Sequence, residues 1–171
     1  MIANDAGQLY TRKSLSRSLQ GIWQYPLTVV QAPMGYGKTT AVREFLADKR
    51  SPVLWLTFLS PEDTSAFFWD RLALEIGKLS GEAGAKLKSL GFPSDAPQTA
   101  NILSILNELD FDENTVLVID DFHLVRSHQI GALLKQIVKE QRSRGGDVLC
   151  CWLIGDRSQV RLGSGESQSR S

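Results

Sequence analysis

The chain has 171 residues, of which 42% are hydrophobic and 22% charged. That size and balance suit one globular domain with a single buried core, and exclude a fibrous or wholly disordered class. Nineteen basic residues meet nineteen acidic ones, so no global field exists to gather nucleic acid or an anionic membrane.

No apolar run reaches the roughly eighteen residues that suggest a membrane span, and MIANDAGQLYTRKS lacks the apolar stretch of a secretory signal. The expectation is a cytoplasmic chain with no direct DNA binding and no membrane contact. In chain order, Leu27 to Gln31 is an apolar, β-branched run entered from Pro26 and stopped by Pro33, Gly35 and Gly37, which predicts a buried strand. Lys38 to about Asp48 carries Ala41, Val42, Phe45 and Leu46 at helical spacing. Val53 to Phe58 reads as a second strand. A helix is expected from Ser60, as N-cap ahead of Pro61, to about Leu79, burying Phe68, Leu72, Ile76 and Leu79.

Residues 80–97 hold Gly81, Gly84, Gly91, Pro93 and Pro97, which predicts a loop broken by at most a short helix at Ala85 to Leu90. Thr99 to Leu109 reads as a helix with Ile102, Leu103, Ile105, Leu106 and Leu109 on its apolar side. Thr115 to Ile119 is the clearest strand, followed at once by Asp120-Asp121. Ile130 to about Gln141 reads as a helix and Asp147 to Ile154 as a fourth strand. Strands alternating with helices predict an α/β fold with a mostly parallel sheet covered on both faces. The domain is expected over residues 1–154, with 155–171 a small, polar, disordered tail. Cys150 and Cys151, adjacent in an apolar run with no metal-ligand spacing nearby, read as core residues. Trp55, Phe67 and Trp69 also read as packing.

The segment APMGYGKTT, Ala32 to Thr40, lies between the first strand and the first helix. A phosphate loop needs this context, because glycine conformations turn consecutive backbone N–H groups toward an anion at a helix N-terminus. Against GxxxxGK[ST], the Walker A pattern, Gly37, Lys38 and Thr39 match and Ala32 stands in place of the first glycine. Gly35, Tyr36 and Gly37 supply the loop backbone. Lys38 is suited to the β- and γ-phosphates, Thr39 to Mg²⁺ and Thr40 to the α-phosphate of ATP or ADP. Asp120, ending an apolar strand, fits the Walker B pattern and a Mg²⁺ role. Asp121 is placed to orient or deprotonate an attacking water. His123 reads more simply as a loop histidine making a local hydrogen bond than as a catalytic group.

APMGYGKTT together with LVIDDFH resembles the ATPase module of the large ATP-binding LuxR-type transcription regulators, related to the maltose-regulon activator, within the signal-transduction ATPases with numerous domains. Their phosphate loop commonly reads APAGYGKTT, so Ala32 follows that family's habit. Weaker likeness lies in Tyr10 to Leu15, in VLWLTF leading into SPEDTSAFFWDRL, and in the histidine two places after the aspartate pair. The resemblance covers about Leu9 to Val148. It implies a P-loop NTPase three-layer sandwich, C-terminally incomplete, that works as an ATP/ADP switch. In the family, ADP holds the regulator inactive, while inducer and ATP favour self-association of the full-length protein and promoter binding. It also implies a nucleotide-sensing arginine after the fourth strand, where Arg157 is the match within Gly155-Asp156-Arg157. With no lid, sensor repeats or helix-turn-helix following, the expectation is a truncated or frame-shifted coding sequence. Two other readings stay open: a small P-loop kinase, and a degenerate interaction domain without useful nucleotide affinity. As an enzyme it is expected to be at most a slow Mg-dependent ATPase.

Overall fold

A computed structural model describes residues 17–33, 35–47, 49, 51–60, 62–109, 115–144 and 148–154. Runs of apolar and β-branched residues form four strands: β1 (Leu27–Gln31), β2 (Val53–Thr57), β3 (Thr115–Asp120) and β4 (Val148–Ile154). All pair in parallel in the order β1-β4-β3-β2. Side-chain alternation divides the core between the two faces of this sheet. Leu54, Leu56, Leu117, Ile119, Cys150 and Trp152 join the larger cluster, while Val116, Val118, Cys151 and Leu153 join the smaller one.

The smaller cluster is completed by Val42 and Leu46 of α1 (Lys38–Ala47) and by Ile22 of a 3₁₀ turn at Gln20–Trp23. The larger is covered by α2 (Ser65–Gly77), α3 (Gly81–Leu90), α4 (Ala96–Asn107) and α5 (His128–Arg144). This layered α/β arrangement, with helices on both faces of a parallel sheet, is the P-loop NTPase fold expected from the sequence. No helix among the described residues is long and apolar enough to cross a membrane.

Several helix boundaries differ from expectation, and each difference has a local cause. The helix expected from Ser60 starts at Ser65, where the Thr64 hydroxyl accepts from the Phe67 amide at 3.2 Å. Ahead of it, the Asp63 carboxylate accepts from the Leu59 amide at 2.9 Å, and the Ser60 hydroxyl accepts from the Glu62 amide at 3.1 Å. Ser60 therefore closes a turn instead of capping the helix; Pro61 lies outside the described residues. α2 also stops at Gly77, which leaves Leu79 beyond it and exposed rather than buried.

The segment read as a loop with a short helix holds the full ten-residue α3, capped by Ser80. Its glycines are not breakers. Gly81 takes the first helical position, and Gly84 lies where α3 crosses α2 backbone against backbone. A Cβ added there would stand 2.5 Å from Gly77 Cα and 2.8 Å from the Ala73 carbonyl oxygen. α4 begins at Ala96, ahead of the expected Thr99, because Asp95 accepts from the Gln98 amide at 2.8 Å and Pro97 fits the first turn. Leu109 lies past its end but still packs on the larger cluster. α5 extends beyond the expected 130–141 at both ends.

Cys150 and Cys151 are free and buried, as expected, and alternation sends them to opposite faces. Burial pushes both thiols up to about 12, with Cys151 adding to the shift on Cys150 and Asp120 to that on Cys151.

Two outcomes follow. Gly84→Ala should lower the melting temperature, at a cost of about 1–3 kcal/mol from overpacking. Gly81→Ala, where a Cβ meets nothing within 4 Å, should be neutral or stabilising; equal melting curves for the two variants would count against the tight crossing. The thiols should resist iodoacetamide in the folded protein at pH 8 and react on unfolding. Their folded values lie above the ordinary 9.0, so the folded chain holds these protons more tightly. Their contribution to stability is complete below about pH 9 and is lost as pH rises toward 12.

Candidate functional site

Three features of the chain converge on the C-terminal edge of the sheet. β1 runs into the phosphate-loop segment, and the Ala32 amide still donates to the Ile154 carbonyl at 3.4 Å. Ala32 thus extends the β1–β4 ladder, and it is absent from the residues with positive φ. A glycine is not required there. Beyond it, Gly35 and Gly37 adopt φ of 81° and 73°, the left-handed conformation that glycine reaches without steric cost. Tyr36 between them projects into solvent, 76% exposed. Met34 lies outside the described residues.

Helix α1 begins at Lys38, with the Ala41 amide donating to the Gly37 carbonyl at 2.9 Å. Its N-terminal amides and positive dipole end therefore face the loop. The Lys38 ammonium folds back to donate to the carbonyls of Ala32 at 2.9 Å and Pro33 at 3.2 Å. These carbonyl partners were not legible in the sequence, which holds no signal for a side chain that returns to its own loop. Thr40, next along the helix, is exposed.

From the neighbouring layer of the fold, β3 delivers Asp120 to the same edge, only 3% exposed. Its backbone is fixed by the register opposite Thr57 and by the Phe58 amide, which donates to the Asp120 carbonyl at 3.1 Å. The Thr39 hydroxyl is placed to donate to the Asp120 carboxylate, 3.1 Å from Oδ1 and 3.0 Å from Oδ2. The Asp121 amide donates to Asp120 Oδ1 at 3.0 Å. Sequence positions 39 and 120 are thereby joined across the end of β4, the strand that separates β1 from β3.

Asp121 departs from strand geometry, with φ 54° and ψ 37°, and opens a 3₁₀ turn at Phe122–Leu124. Its side chain is 43% exposed, and His123 Nδ1 stands 3.9 Å from its Oδ1. The site therefore presents one buried and one accessible carboxylate. The hydroxyl of Thr39 and carboxylate of Asp120 are hard oxygen donors, and no group of three or more His, Cys, Asp or Glu side chains suited to a metal occurs among the described residues. That donor set fits Mg²⁺, which usually takes one or two protein carboxylates and completes its shell with phosphate and water. Arg157 lies outside the described residues.

The aromatic residues read as packing divide by location. Trp69 is buried, its indole N–H donating to the Leu87 carbonyl at 2.8 Å. Trp55 is half-buried beneath the Arg43 guanidinium, 4.6 Å from the ring centroid. Phe67 is instead exposed at the start of α2, with Arg71 5.5 Å above its ring. Arg71 also reaches the end of β2, donating to the Thr57 carbonyl at 2.7 Å, a contact between a helix and a strand that residue spacing does not reveal.

Comparison with known proteins places these features in context. The AAA domain family matches residues 24–161. Proteins described as the HTH-type transcriptional regulator MalT are 29% identical over 135 residues in Yersinia pestis and in Yersinia pseudotuberculosis, and 27% identical over the same length in Yersinia enterocolitica. Each match covers 76% of this chain and 14% of the relative.

The loop geometry predicts a ranking of substitutions. Gly35→Ala and Gly37→Ala should each cost about 1–2 kcal/mol through the left-handed backbone alone, since a Cβ at either meets nothing within 4 Å. Ala32→Gly should leave nucleotide affinity within about twofold, because it alters a residue already held in the ladder. Isothermal titration with ADP and thermal melts would check both; a large gain from Ala32→Gly would contradict the loop assignment.

Proposed function

Because the chain belongs to the AAA domain family, we propose that it is a nucleotide-binding module that takes Mg·ATP or ADP at the edge formed by the phosphate loop and the end of β3. The observation that carries this reading is the meeting of Thr39 with Asp120 at 3.1 and 3.0 Å. Residues distant in sequence supply two oxygen donors beside a helix N-terminus and a glycine loop.

In this reading the amides of Gly35, Tyr36 and Gly37 turn toward the phosphates, and Lys38 leaves the carbonyls of Ala32 and Pro33 for the β- and γ-phosphates. Thr40 donates to the α-phosphate. Thr39 and Asp120 release one another to hold Mg²⁺, Asp120 directly or through water. Held by these two residues, Mg²⁺ would supply positive charge to neutralise the phosphates. Asp121, accessible and adjacent, orients or deprotonates the water that attacks the γ-phosphorus, and Arg157 reports the nucleotide state. Hydrolysis is slow in this reading, because phosphoryl transfer usually needs an arginine and a closed site to stabilise the transition state.

The likeness to MalT supports a regulatory role in place of metabolic phosphoryl transfer. The module is the ATP/ADP switch of a cytoplasmic LuxR-type transcription regulator, where nucleotide exchange controls self-association. The matched segment is a small fraction of those relatives, so DNA reading and inducer sensing are assigned to other parts of such a protein.

Equilibrium binding of Mg·ATP and of ADP, alongside Lys38→Ala, tests the reading. Saturable binding that Lys38→Ala weakens about tenfold or more, a step of ~1.4 kcal/mol, is expected. Absence of saturable binding by a chain that melts cooperatively would reject it.

A further inference from the structure

Resting on the nucleotide reading above, we propose that His123 is a positioning residue that aims the Asp121 carboxylate at the water attacking the γ-phosphorus. Asp121 is the only non-glycine residue with positive φ among the described residues, and such a conformation costs about 1–3 kcal/mol unless its surroundings enforce it. Here they do. Its amide is tied to Asp120 Oδ1 at 3.0 Å, and its carbonyl accepts from the Leu124 amide at 2.8 Å.

This backbone reversal gives the two adjacent acids different places. Asp120 is buried against Thr39, whereas Asp121 keeps a side chain that is 43% exposed. The 3₁₀ turn then brings His123 back toward Asp121, its imidazole 18% exposed and its Nδ1 3.9 Å from Asp121 Oδ1. The turn is pinned from β4, where Trp152 stacks on Phe122 with centroids 4.2 Å apart and rings inclined by 19°. The imidazole is thus largely enclosed on an anchored turn, while the carboxylate beside it remains accessible.

At 3.9 Å the pair is too far apart for a hydrogen bond. An approach of about 1 Å creates one, and catalytic hydrogen bonds often tighten only in the substrate complex. With one Asp121 oxygen accepting from Nδ1–H, the other is turned to the water. In the step served, the water oxygen bonds to the γ-phosphorus as its bond to the β–γ bridging oxygen breaks. The proton goes to Asp121, ADP departs with the electron pair, and His123 exchanges no atom.

The test compares ATP turnover and equilibrium Mg·ATP binding for the full chain and for His123→Ala, His123→Asn, Asp121→Asn and the double variant His123→Ala/Asp121→Asn. His123→Ala should lower kcat about tenfold, and Asp121→Asn about a hundredfold. Nucleotide affinity should stay within about twofold in each, with cooperative melts retained. His123→Asn, whose amide nitrogen replaces Nδ1, should recover most of the turnover. The double variant should be no slower than Asp121→Asn, because His123 acts through that carboxylate.

An Asn variant as slow as the Ala variant would overturn the proposal. So would a further loss in the double variant, or a fall in affinity matching the fall in kcat. Saturable ATP binding without turnover by the unmodified chain would overturn it too, while leaving the nucleotide reading intact. Failure to bind nucleotide at all would remove both.

Discussion

The arrangement depends on a carboxylate at the end of a wholly buried strand. Every residue of β3 is buried, including Asp120 at its C-terminus. Taking such a group out of water costs several kcal/mol unless charge or hydrogen bonds replace its hydration. The donors here are neutral, the Thr39 hydroxyl and the Asp121 amide. They satisfy the group without supplying positive charge, which leaves its electrostatic demand open to a cation. The same two bonds tie α1 and the turn after β3 to a single point, so the relative placement of phosphate loop and acid pair follows from satisfying one side chain.

Backbone strain gathers at this edge. Of the four described residues with positive φ, Gly35, Gly37 and Asp121 lie there, and only Gly91 lies elsewhere, at the end of α3. The glycines adopt these conformations cheaply, whereas Asp121 is constrained by hydrogen bonds on both sides. The sheet supplies the rigidity that makes this possible: β3 pairs on both sides, with β2 and with β4.

The strands were legible because buried parallel strands read as unbroken apolar runs. β1 matches its expected bounds but not its expected burial, because it lies at the edge of the sheet, where none of its residues is buried and Val29 is 48% exposed; β3, wholly buried, extends the expected run only by Asp120. The likeness read from APMGYGKTT and LVIDDFH to ATP-binding regulators agrees with the AAA domain match and the similarity to MalT. Helix boundaries were harder, because several nearby residues were able to cap. Around α2, Ser60, Asp63 and Thr64 all accept amide hydrogen bonds, and only tertiary placement selects Thr64 as the cap. The glycines of α3 misled for a related reason: Gly84 serves a contact with another helix, which spacing cannot reveal. At the site, residue types and order were readable from the chain. The carbonyl partners of Lys38 and the fold-back of His123 were not, since the latter depends on Phe122 meeting Trp152 of a later strand.

Two neighbouring cysteines give the sheet a property of a different kind. Cys150 belongs to the core beneath α2 to α5 and Cys151 to the core beneath α1, although one peptide bond separates them. Their chemical surroundings are therefore set by two separate layers. If one layer loosens before the other, solvent reaches one sulfur first; if both open together, the sulfurs are uncovered at a common rate. The chain carries an internal pair of clocks that distinguishes layer-by-layer breathing from concerted opening.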